Sequence, residues 1–79
     1  MKNVLKSNRK LKNLTQNELS KLANISQSYI SDLEKDYFVH SPTIKQIISL
    51  SEALSIEPRE LAEYFIEKEL ESKEELEKE

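Results

Sequence analysis

Cysteine and glycine are both absent from this 79-residue chain, and only two prolines and one histidine occur in it. Without cysteine there can be no disulfide and no thiolate metal site, and His40 has no second imidazole with which to share a zinc ion. Without glycine there is no glycine-rich phosphate loop. Helix ends that need a left-handed backbone must use Asn or Asp instead. Apolar runs are as short as Ile47-Ile48, far below the roughly 20 residues that span a bilayer. These absences argue against enzymatic chemistry, since no nucleophile–base pair or metal constellation can be assembled. They also imply no cofactor, no membrane association and a cytoplasmic location.

The chain is long enough for one domain whose stability must come from packing alone. Its net charge of −3 is strongly segregated. Residues 1–45 carry eight bases against four acids, a net +4, and the remainder carries four bases against eleven acids, a net −7. A basic amino-terminal half suits contact with phosphate, and an acidic end directed away from it favours solubility.

Capping residues supply the punctuation. Thr15 with Glu18, and Thr43 with Gln46 directly after Pro42, have the spacing of capping boxes, which satisfy the free amide hydrogens at a helix start. Ser26 can cap a third helix, and Pro58 suits the first position of another. Asn13, Asn24 and Asp36 fall where left-handed helix ends are needed. The pattern predicts helices over 3–12, 16–23, 27–35, 44–54 and 58–70, an all-α architecture. Leu5, Leu14, Leu19, Leu22, Ile25, Ile30, Leu33, Ile47, Leu50, Leu54, Ile56, Leu61 and Phe65 take the inward positions. Residues 1–68 make the domain, and residues 69–79 an acidic tail that continues the last helix and frays.

The segment from Thr15 to Glu34 reads as two short helices joined by a tight turn. Ala23 is small where they approach, Asn24 takes the turn, and Ile25 tucks under the corner. The second helix buries Ile30 and Leu33 and leaves Gln27, Ser28, Ser31, Asp32 and Lys35 outward. Together with Arg9, Leu14-Thr15-Gln16, Glu18-Leu19, Tyr29-Ile30-Ser31, Pro42, Leu50, Leu54 and Leu61, this spacing resembles the XRE or Cro/phage-repressor type of helix-turn-helix regulator over roughly residues 4–66.

The resemblance implies a compact five-helix, lambda-repressor-like domain whose helix 27–35 enters the major groove of a double-stranded operator and reads base edges. By position it makes Gln27 and Ser28 the leading base readers, with Asp32 one turn on. Gln16 takes the family's phosphate position at the start of the first helix of the motif. Tyr29, Ser31, Lys6, Lys10, Lys35 and Lys45 are further phosphate candidates, with Lys12 beside them. Arg9 and Glu34 fall where the family places a structural ion pair. Departures from the pattern are Asp36, where Gly or Asn is usual, and the apolar run from Tyr37 to Val39, where many members carry bases. His40 is read as a loop residue.

Such domains commonly bind as dimers on two half-sites. Ala62, Ile66 and Leu70 form an apolar stripe on the last helix that can serve as a homodimer interface. A repressor or controller of transcription is the leading reading. An antitoxin that binds its promoter and a toxin protein, or an interaction module that has lost DNA binding, are the alternatives, and a protein antagonist is compatible with each.

Overall fold

The structure, a computed structural model, describes residues 3–35 and 40–78, with side chains described through Lys73. Among the described residues five helices follow one another: α1 (Val4–Leu11), α2 (Gln16–Ala23), α3 (Gln27–Leu33), α4 (Ile44–Leu54) and α5 (Pro58–Lys78). The fold is all-α, as the spacing of apolar residues predicts. Asp36, the third expected helix stop, lies outside the described residues.

Each of the first four helices starts at a side-chain cap. Asn3 accepts from the Lys6 amide, Thr15 from Glu18, Ser26 from Tyr29 and Thr43 from Gln46. Both expected capping boxes close reciprocally, with the Thr15 amide donating to Glu18 Oε1 and the Thr43 amide to Gln46 Oε1, each at 2.8 Å. The sequence puts Asn3 inside the first helix and Glu34 and Lys35 inside the third. Instead Asn3 is the cap preceding α1, and Glu34 closes α3 as its C-cap.

Asn13, Asn24 and Ser55 have φ near +57° and carry the left-handed turns. Ser55 was not expected in that role. With no glycine available, side chains with short polar groups are the ones that tolerate this region at modest cost.

Helix α2 packs against α3 and α4, α4 against α5, and α1 reaches α5. Leu5, Leu19, Ile30, Leu33, Leu50, Leu54, Leu61 and Phe65 meet in one buried core, with Ala23, Ile25 and Ile47 at its edge. Leu14 and Ile56 pack against it while half-buried. Leu22 is a correction: it is 61% exposed. On an eight-residue helix Leu19 and Ala23, four apart, already fill the inward stripe, and Leu22 falls beyond its edge. Tyr64, absent from the sequence-derived core, is buried and sits edge-on to Phe65 at 5.2 Å. Ser51 is also fully buried, its hydroxyl satisfied by the Ile47 carbonyl at 2.7 Å.

At 21 residues α5 is about 31 Å long at 1.5 Å per residue, longer than the 22–23 Å short dimensions of the molecule. Its last buried side chain among the described residues is Phe65, and residues 66–73 are exposed or half-exposed. No helix among the described residues is long and apolar enough to cross a membrane.

Two measurements check this account. Leu22→Gln should change unfolding free energy by less than about 0.5 kcal/mol, whereas Leu19→Ala should cost about 2–5 kcal/mol by urea denaturation. The Thr15 amide, donating to Glu18, holds that carboxyl below its ordinary value. A lowered folded-state value contributes stability above the unfolded pKa that is lost as pH falls through the folded one. The stability gap between the protein and Glu18→Gln should thus be widest at neutral pH and close in acid.

Candidate nucleic-acid interface

The turn between α2 and α3 is held by local geometry. Asn24 adopts φ 56°, ψ 46°, so that the chain reverses directly after Ala23. The Ile25 amide donates to the Ser20 carbonyl at 3.1 Å, and the Ser20 hydroxyl donates back to the Ile25 carbonyl. Ile25 is buried beneath the corner. These bonds fix the angle at which α3 leaves α2.

A second set of bonds fixes the far end of α3. Glu34 receives Arg9 in a two-pronged contact, Nε to Oε2 at 2.7 Å and Nη2 to Oε1 at 2.9 Å. The third guanidinium nitrogen of Arg9 donates to the Leu14 carbonyl at 2.7 Å. The side chains are only 11% and 4% exposed. The hydrogen bond to Glu34 raises the Arg9 pKa further, so the cation persists at any relevant pH. Nearby, Asn3 Nδ2 donates to the Leu33 carbonyl at 3.1 Å. Helix α1 thus grips the end of α3 at two points.

Between these anchors α3 presents a shallow cleft of about 480 Å³ lined by Gln16, Gln27, Ser28, Ser31, Asp32 and Lys35. All three expected base readers share it with three of the expected phosphate ligands. Gln27 and Ser28 are exposed in the first turn of α3. Gln16 Nε2 donates to Glu34 Oε1 at 3.1 Å, so the same carboxylate that holds Arg9 also orients Gln16 at the cleft wall. That bond was not visible in the sequence.

Asp32 is paired with Lys35 at 3.1 Å, both half-exposed. Their three-residue spacing could have suggested the pair. The lysine offsets an acid that would otherwise oppose phosphate. Tyr29 lies outside the cleft lining. It packs partly against the core, and its ring stacks on His40 at 5.0 Å between centroids. Its hydroxyl donates to the His40 carbonyl at 3.0 Å and lies 3.3 Å from His40 Nδ1. Burial raises the pKa of this hydroxyl, keeping it a neutral donor. Lys6, Lys10 and Lys12 on and after α1, and Lys45 on α4, are exposed and do not line the cleft.

On the other expected surface, Ala62 is half-buried while Ile66 and Leu70 are 58% and 54% exposed. Ile44 and Ile48 of α4, four residues apart, are exposed alongside them, an extension the sequence reading did not include.

A family model described as Helix-turn-helix matches residues 5–61, well over half of the chain. The chain belongs to the XRE-type helix-turn-helix family. Comparison with curated proteins and with solved structures returned no match. As an XRE-type protein it is a DNA-binding helix-turn-helix regulator, and the matched span contains both helices of the motif and the Arg9–Glu34 clasp.

In this XRE-type chain the clasp is a part-buried ion pair whose side chains are largely shielded from water. Removing one partner leaves an uncompensated charge, so Arg9→Met should cost about 3–5 kcal/mol, against less than about 1 kcal/mol for an exposed pair. Equilibrium unfolding in urea measures the difference.

Proposed function

We propose that the protein is a sequence-specific repressor or controller that binds a palindromic operator as a homodimer, with α3 of each copy in the major groove. The observation that carries this reading is the composition of the α3 cleft. Gln27 and Ser28 stand exposed at the amino-terminal turn of the second motif helix, the part that meets base edges when such a helix docks. Gln27 can bond an adenine through both its donor and acceptor, worth about 1–3 kcal/mol of discrimination against another base. Ser28 accepts or donates as the adjoining base requires. Asp32, one turn along, suits the amino group of cytosine, with Lys35 released from it to phosphate.

Gln16 and Ser31 border the same cleft, where the phosphates flanking the groove would lie. Lys6, Lys10 and Lys45 add positive charge from α1 and α4, and Tyr29 can offer its hydroxyl to phosphate once it is released from the His40 carbonyl. A single head of this size makes few contacts. Two copies related by a two-fold axis through the Ala62, Ile66 and Leu70 face would place two heads on half-sites roughly 34–36 Å apart. Such a protein works in the cytoplasm, on the nucleoid.

Selection of bound duplexes from a random library tests this directly. The expected product is an inverted repeat, and Gln27→Ala should lose preference at one symmetric position while the rest of the motif survives. No enrichment from folded protein at low salt would remove operator recognition.

A further inference from the structure

Helices α4 and α5 leave an apolar trough between them. It is made of two adjoining depressions that share Ile44, Ile47 and Ala62, with the exposed Ile48 lining one and the exposed Ile66 and Leu70 the other. Four large exposed aliphatic side chains around two adjoining depressions are more than scattered surface apolars. The trough is also polar in the directional sense. Arg59 lines one end and Glu69 the other. Ten residues separate them, about 15 Å along the helix. The Ser41 hydroxyl donates to Glu69 Oε1 and holds that carboxylate at its end of the trough.

We propose that a second copy of this chain fills the trough with the two α5 helices antiparallel, in a register that sets Arg59 of each against Glu69 of the partner subunit. This specifies the interface of the homodimer proposed above and rests on that reading. A two-fold contact uses the same patch on both copies, and it reverses the direction of α5 when the axis crosses the helix rather than running along it. A patch positive at one end and negative at the other is complementary to itself only when reversed in this way. Pairing residues whose numbers sum to 128 brings Ala62 opposite Ile66, Pro58 opposite Leu70 and Arg59 level with Glu69. The apolar stripe and both charge pairs are then satisfied by a single register. A parallel arrangement would instead set Arg59 against Arg59 and Glu69 against Glu69, which like-charge repulsion opposes.

Charge exchange, read by sedimentation over a concentration series at low salt, tests the register. Arg59→Glu alone and Glu69→Lys alone should each weaken dimerisation roughly tenfold or more, and the two together should restore it to within about threefold of the original, the behaviour of a directly coupled pair. Both residues are exposed, so melting temperatures of diluted samples should stay unchanged. Ile66→Asp serves as the reference variant and should give monomers. If the single exchanges leave the dimer constant unchanged while Ile66→Asp abolishes association, this register is overturned and the homodimer stands. If the unaltered protein is monomeric throughout, register and homodimer fall together, and operator selection judges DNA recognition separately. Weakening by both single exchanges without recovery in the combined variant also overturns the pairing.

Discussion

The carboxylate of Glu34 is the point on which the molecule turns. It closes α3, receives two nitrogens of Arg9 from α1, and accepts from Gln16 at the first residue of α2. Three helices therefore depend on one anion for their mutual placement. A charge buried to this degree is tolerable only because its lone pairs are filled by well-aligned donors, and the Arg9 cation is itself shared with the Leu14 carbonyl. The α3 cleft inherits its geometry from this network. The Ser20–Ile25 bonds set where α3 begins, and Glu34 sets where it ends.

Electrostatics and packing divide the chain along the same line. The basic half holds the helix-turn-helix and the acidic half is largely α5, which is exposed or half-exposed over residues 66–73. Like charge along a long helix opposes nonspecific clustering. On its inner side the same helix contributes Leu61, Tyr64 and Phe65 to the core, while Ile66 and Leu70 remain outward. One element thus closes the domain and offers an apolar surface beyond it.

Much of the fold was legible because helix starts and stops are local events. The Thr15–Glu18 and Thr43–Gln46 boxes, and the left-handed Asn13 and Asn24, follow from residues within one turn of each other. Ser55 was missed because serine rarely declares a left-handed end. Leu22 was misassigned because periodicity marks a stripe but not its width on a two-turn helix. The candidate cleft was legible from positions in the motif, yet the Gln16–Glu34 bond and the Tyr29–His40 stack were not. They join residues 18 and 11 apart, and no pattern of spacing encodes which long-range partner a polar side chain finds. Tyr64 escaped for a related reason, since its burial depends on the elements that surround α5 and not on α5 itself.

The hold of α1 on α3 gives the amino-terminal residues a standing that their distance in sequence conceals. Asn3 and Arg9 belong to the helix-turn-helix unit as much as Ser26 does, because each fixes one end of the same seven-residue helix. A helix that short has little stability of its own. A chain begun or cut just beyond Arg9 would retain the whole helix-turn-helix sequence and still be unable to keep its second helix in place. The smallest autonomous recognition unit here is therefore larger than the motif that names it.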